Sequence, residues 1–275
     1  MSTDSPEFGE FFNGIEYAQW GRGSKTLMVF SGGPGNNIPR GFAFNLLASG
    51  FDPFEDEFTV VLVTRKKGQP EGYSTRDMSA DYAALIRREF DGHVELIIGM
   101  SYGGLIAQHF AADYPELFDH IVIAISAHRI SEIGKSIDLR YAELLSQGKL
   151  RAANAAIVDA LYPSGVKRPV FKAAGWILGS RLVGPRHSTY ESDVMVEVRA
   201  ELQHEAVESL RQIRVPVLIV CGTEDVYFPQ EYVEEMAALI DTSTVKLYSG
   251  KGHLEALEDQ SFSKDVFEFT AARVN

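Results

Sequence analysis

The sequence predicts an α/β fold: a mostly parallel central sheet covered by helices on both faces. Two observations carry that expectation. Short apolar runs rich in branched residues (Leu27–Phe30, Phe58–Val63, Val94–Ile98, His120–Ile125) alternate with stretches of helical periodicity. None of those runs alternates cleanly between apolar and polar residues. A sheet with one wet face would show that alternation, whereas a parallel sheet buried on both faces reads as near-continuous apolar strands.

The elements follow in order. Phe11 to Trp20 reads as edge-strand material broken by the hairpin signal Asn13-Gly14. Leu27–Phe30 is a buried strand that runs into Ser31-Gly32-Gly33-Pro34-Gly35-Asn36-Asn37, where regular structure cannot persist. Phe42 to Ser49 can form a short helix. The strand Phe58–Val63 is expected to end at Thr64, with a polar loop to Thr75 in which Arg65-Lys66-Lys67 is solvated. From Asp77 to Phe90, Met78, Tyr82, Leu85 and Ile86 share one helical face. The strand from Val94 and the helix Leu105–Asp113 follow, stopped at Tyr114-Pro115, and then the strand His120–Ile125. Between 127 and 213 the alternation lapses into helical patterns, punctuated by Gly148, Pro163, Gly165, Pro169, Gly179 and Pro185. The strand Val217–Cys221, the helix Gln230–Ile240, the strand Thr244–Tyr248 and a closing helix Phe262–Ala271 resume the pattern. The expected organisation is therefore one core domain, residues 1–126 and 214–275, with a helical insertion over 127–213.

Composition narrows the function. The 275 residues carry a formal net charge of −12. That disfavours nucleic-acid backbones and anionic membranes, which call for positive patches, and leaves a small-molecule substrate as the expected partner. No apolar run is long enough to cross a bilayer. The N-terminus shows no secretory signal, and the single cysteine, Cys221, allows no internal disulfide. A cytoplasmic protein is expected; oligomeric state is not legible.

The chemistry centres on Gly99-Met100-Ser101-Tyr102-Gly103, set between a buried strand and a helix. A strand that turns sharply into a helix at a serine lifts the hydroxyl above the sheet edge, and glycines on either side relieve the crowding. A serine hydroxyl needs a base, and the base needs an acid to orient it. His253, in the loop Gly250-Lys251-Gly252-His253, and Asp225, in Gly222-Thr223-Glu224-Asp225, both follow strands. In a parallel sheet they reach the same rim as Ser101. Glu224 is the rival acid and His128 the rival base. The loop Ser31–Gly35 can supply the Gly33 N–H to a developing oxyanion, with the Tyr102 N–H at the helix N-terminus as the second donor.

These motifs, with Asp77-Met78-Ser79-Ala80-Asp81 opening a helix and Val226-Tyr227-Phe228-Pro229 after Asp225, make the chain resemble the α/β-hydrolase-fold serine hydrolases over most of its length. The resemblance implies a Ser101–Asp225–His253 triad, an oxyanion hole at Gly33 and Tyr102, and a helical cap over 127–213. It implies hydrolysis of a small ester, thioester, lactone or amide, most simply a carboxylic ester, with no cofactor and no metal. The family's usual histidine is replaced by Ser31. Gly-Gly-Pro-Gly also resembles the loop of proline iminopeptidases, whose cap acids hold a free amine. Glu191, Asp193, Glu197, Glu201 and Glu205 are available for that role, although such a run reads first as a solvated helix face. A ligand-binding receptor or a lyase on the same fold are further alternatives.

Overall fold

The computed structural model describes residues 5–161 and 186–272. Pro163, Gly165, Pro169, Gly179 and Pro185 lie outside the described residues. The elements run β1 (Glu7–Glu10), β2 (Ile15–Gly21), β3 (Lys25–Phe30), α1 (Phe42–Ser49), β4 (Phe58–Lys66), α2 (Thr75–Glu89), β5 (Val94–Met100), α3 (Tyr102–Asp113) and β6 (Phe118–Ala124). The chain continues through α4 (Glu132–Ser146), α5 (Leu150–Leu161), α6 (Tyr190–Leu202) and α7 (Val207–Gln212), then β7 (Val217–Gly222), α8 (Gln230–Ala237), β8 (Ser243–Tyr248) and α9 (Ser261–Ala271).

The strands form one sheet in the order β1-β2-β4-β3-β5-β6-β7-β8. β1 and β2 are antiparallel, as the Asn13-Gly14 turn requires, and β2 meets β4 antiparallel; every later pairing is parallel. From β3 the chain crosses to β4 on one side, and from β5 it proceeds to β6 on the other. The order therefore reverses between β3 and β5, where a crevice opens at the strands' carboxyl ends.

Because successive strand side chains point to opposite faces, each apolar run feeds two cores. Val61 and Val63 of β4 join Phe30, Tyr82, Ile97 and Phe110 in the core beneath α2 and α3. Their neighbours Val60 and Leu62 join Val29, Ile98, Phe54 and Val266 on the face covered by α9. Uninterrupted apolar strands are thus the direct product of a sheet with no wet face. A smaller cluster, which includes Tyr141, Leu145, Val194 and Val198, holds α4 against α6.

Three expectations fail. β4 does not stop at Thr64 but continues to Lys66, and Arg65 is not solvated: its side chain is fully buried against Glu197 of α6, with Nη2 2.9 Å from Oε2. Nor is the acidic run on α6 a solvated face throughout. Glu191 and Glu205 are exposed, but Asp193, Glu197 and Glu201 are buried. Their i, i+4, i+8 spacing sets them in one row, and that row is buried, with Asp193 and Glu197 meeting donors. Asp193 accepts the backbone N–H groups of Gly68 and Gln69 at 2.9 and 2.8 Å. Glu197 accepts Arg65 and, at 2.7 Å, the Gln69 amide.

Removing one member of a buried ion pair strands the other charge, at a cost of about 3–5 kcal/mol. Arg65→Met should therefore lower the urea midpoint strongly, and Arg65→Met/Glu197→Leu should recover much of the loss; an Arg65→Met midpoint equal to the wild type would contradict the assignment. Cys221, fully buried on β7, should react with a thiol reagent only as fast as the protein unfolds, because burial and then the adjacent Asp225 carboxylate push its thiol pKa up. Rapid labelling of native protein would show otherwise.

Candidate active site

The turn from β5 into α3 is as tight as its glycines suggest. A Cβ on Gly103 would lie 2.1 Å from the Phe30 carbonyl oxygen, and one on Gly99 2.6 Å from the Ala107 Cβ. Between them Ser101 adopts φ 51° and ψ −114°, with its N–H donating to the Ala124 carbonyl at 2.9 Å. Ile125, at the end of β6 beside it, also has a positive φ, 47°. A β-branched residue seldom adopts such a conformation outside a constrained site.

The structure brings Ser101, His253 and Asp225 into one chain of contacts. His253 Nε2 lies 3.0 Å from Ser101 Oγ, and His253 Nδ1 lies 2.8 Å from Asp225 Oδ2. The second Asp225 oxygen accepts the backbone N–H groups of Tyr227 and Phe228 at 2.9 and 3.0 Å, which fixes the carboxylate's direction. Cys221 Sγ sits 3.5 Å from Oδ2. The rings of Tyr227 and Phe228, with centroids 5.0 and 5.9 Å from the imidazole, leave it little freedom to turn. The neighbouring Glu224 is tied by its backbone N–H to the Lys251 carbonyl at 2.9 Å, which braces the Asp225 loop against the His253 loop. The rival base His128 faces α8 instead, with Nδ1 3.0 Å from the Tyr232 carbonyl and Nε2 3.2 Å from Glu235. His109 lies behind the elbow, its Nδ1 2.9 Å from Ser209 Oγ.

The loop after β3 is held from beneath. The Arg65 guanidinium donates to the carbonyls of Ser31 (2.9 Å), Gly33 (2.7 Å) and Gly35 (2.6 Å), and to Ser31 Oγ at 2.8 Å. The peptide carrying the Gly33 N–H is thereby fixed on both sides. Gly33 itself has φ 67° and faces open space. Ser31 thus serves as a hydrogen-bond acceptor for Arg65. Glu197 joins in by accepting the Gly35 N–H. Tyr102, whose N–H opens α3, donates its hydroxyl proton to the Glu197 carbonyl at 2.9 Å and lays its ring 4.9 Å from the Arg65 guanidinium carbon. Burial by itself would lower the Arg65 pKa; the Glu197 carboxylate outweighs it and the net shift is upward, so this charge is permanent. Sequence reasoning took Arg65 as solvated and offered Glu197 only as one of five available acids, so it missed their pairing. The available signal was weak: an arginine at the end of a strand expected to be buried, and an acid four residues from two others.

Ser101, His253 and Gly33 open onto a cavity of about 250 Å³. Leu47, Met100, Leu254 and Leu257 line it and also line an adjoining apolar groove of about 580 Å³ between α1 and α9. Asp138, Glu201 and Tyr227 line the cavity as well. A serine whose hydroxyl meets an imidazole at the N-terminus of a helix can attack a carbonyl, and backbone N–H groups beside it can stabilise the resulting oxyanion. The described residues contain no cluster of three or more His, Cys, Asp or Glu arranged to hold a metal ion. None of the described helices is long and apolar enough to cross a membrane.

Comparison with known proteins places the fold. The chain is similar to 3-oxoadipate enol-lactonase 2 of Acinetobacter baylyi, 24% identical over 222 residues that cover 77% of this chain and 76% of the relative. Among solved structures it is similar to the enol-lactonase of Burkholderia xenovorans LB400 (TM-score 0.73, 18% identity, 94% of this chain and 96% of that one). It is also similar to a thermophilic esterase of Thermogutta terrifontis (TM-score 0.71, 18% identity, 97% and 98%). At such identities the structural likeness establishes the fold. The family model described as alpha/beta hydrolase fold matches residues 40–260, most of the chain, and the protein belongs to that family.

Proposed function

We propose that the protein is a serine hydrolase that cleaves a small carboxylic ester, thioester, lactone or amide through an acyl-enzyme. The observation that carries this reading is the continuous contact from Ser101 Oγ through His253 to Asp225, at 3.0 and 2.8 Å. Ser101 Oγ attacks the substrate carbonyl while neutral His253 takes its proton at Nε2. Asp225 holds the imidazole tautomer and stabilises the cation that forms. The N–H groups of Gly33 and Tyr102 receive the oxyanion, and the N-terminus of α3 favours its charge. Collapse expels the leaving group, which takes the proton from His253. Water, deprotonated by the same imidazole, then releases the acid and frees Ser101. The apolar groove between α1 and α9 gives an acyl or alkoxy arm a place to lie. The names of an enol-lactonase and an esterase among the similar proteins agree with ester-bond cleavage.

A fluorophosphonate probe should add a single phosphonyl group, mapped to Ser101, and Ser101→Ala should abolish it; undiminished labelling of the variant would reject this reading. Asp225→Asn should lower kcat by about a thousandfold or more with folding preserved, because an amide can hold the wrong imidazole tautomer. Glu224→Gln should change kcat little. Steady-state turnover of a chromogenic acetate ester distinguishes the two, and a reversal of their effects would move the acid to Glu224.

A further inference from the structure

Ser101 leaves the sheet beside a branched residue in an unfavourable backbone conformation. In the β5–β6 register Met100 stands opposite Ala124, so the residues that follow, Ser101 and Ile125, emerge side by side. Both have positive φ, 51° and 47°. For Ser101 the turn into α3 accounts for it. No helix begins at Ile125; the next, α4, starts at Glu132. A β-branched side chain is moreover among the least suited to this region of φ.

The conformation changes where the side chain goes. Along β6 the residues alternate: Ile121 and Ile123 join the core beneath α2 and α3, while Val122 and Ala124 join the core on the face covered by α9. A regular strand would send Ile125 to the first of these. It joins the second instead, in company with Met100. There it is buried, and it lines the cavity at Ser101. Its N–H donates to the Val220 carbonyl at 2.7 Å, which ties the turn to β7. On the other side of Ser101 lies the loop after β3, where a Cβ on Gly32 would come within 3.2 Å of the Ser101 Cβ. The serine is therefore closely walled on both sides. Backbone strain of this kind persists where the surroundings over-determine it, and it clusters at ligand sites. A β-branched side chain is also stiff at χ1, so this wall does not swing aside.

We propose that Ile125 determines specificity: its side chain restricts the substrate to acyl groups that are unbranched next to the carbonyl. This inference rests on the serine-hydrolase reading and names the substrate class of that site. In that reading the carbonyl oxygen faces the Gly33 and Tyr102 N–H groups, and the leaving group must reach His253 Nε2 to take its proton. The acyl arm takes the remaining direction, along Ile125 and Met100. Met100, Leu47, Leu254 and Leu257 line both the cavity and the groove between α1 and α9, so the arm has a continuous apolar path outward. A methylene next to the carbonyl passes the wall. A branch there has to displace Ile125, and a packed interior yields little. The substrate class is therefore an ester, or related acyl compound, of a straight-chain acid whose chain runs into the groove.

The test compares kcat/KM for 4-nitrophenyl butanoate and 4-nitrophenyl 2-methylpropanoate, isomers that share a leaving group. Each value is divided by the ester's rate constant for hydroxide hydrolysis, which removes intrinsic reactivity. The wild type should prefer the straight-chain ester by about tenfold or more, the scale on which a pocket discriminates one misplaced methyl group. Ile125→Ala and Ile125→Gly should each bring the ratio toward one, and Ile125→Val, which keeps the branch at Cβ, should retain it. Glycine also removes the strain at this position, so Ile125→Gly decides if Ile125→Ala does not fold. A residue with a purely structural role would slow both esters together and leave their ratio alone, and that result overturns the proposal. A wild-type ratio near one overturns it too, as does an Ile125→Ala effect seen between ethyl and propan-2-yl butanoate but not between the two 4-nitrophenyl esters. These results would leave the hydrolase reading standing. Absent turnover of every ester, together with absent phosphonylation of Ser101, would instead reject that reading and this inference with it.

Discussion

A guanidinium and a carboxylate buried together beneath the β3 loop organise what surrounds the serine. Moving two ions out of water is expensive, and their attraction offsets the cost only when the remaining donors and acceptors are also satisfied. Arg65 and Glu197 come close to that condition. The arginine's remaining hydrogen bonds go to the Ser31, Gly33 and Gly35 carbonyls and to the Ser31 hydroxyl. The glutamate also takes the Gln69 amide and the Gly35 N–H. Because each partner needs its full set, the loop conformation is not adjustable: turning the Gly33 carbonyl away would leave part of a buried cation unsatisfied. The rigidity of the Ser31–Gly35 loop thus follows from the electrostatics of a pair located behind it.

The sheet supplies the complementary constraint. β3, β5, β7 and β8 are parallel, so the segments that follow them all emerge on one rim. That geometry gathers Gly33, Ser101, Asp225 and His253 from positions separated by as much as 220 residues in the chain. The finer placement is local. Two backbone amides orient Asp225, and two aromatic rings flank His253.

The fold was legible because a parallel sheet with two covered faces imprints itself on every strand as continuous apolar character. The Ser101, Asp225 and His253 cluster was legible because glycine-rich turns after strands mark the rim. Buried polar groups were harder to read. Arg65 looked like one member of a solvated basic triplet, and nothing local distinguishes it from Lys66 and Lys67; its burial depends on a glutamate 132 residues away. The acids of α6 posed the same difficulty, since helical spacing shows which residues share a face but not what that face meets. Asp138 gave no signal of its own, lying in a helix whose neighbours across the cavity come from α6 and the Tyr227 loop.

The tie between Arg65 and Glu197 also bears on how such a protein can be altered. The helices between β6 and β7 invite exchange as a unit, like a replaceable lid over a constant base. Here that modularity fails at one residue. A transplanted segment without an acid at the position of Glu197 would leave Arg65 charged and buried with its main counter-ion gone, and the Ser31–Gly35 loop would lose its brace along with it. Divergence in this lineage, or recombination at the bench, would have to change residues 65 and 197 together, so that the helical segment and the Ser31–Gly35 loop evolve as one linked character.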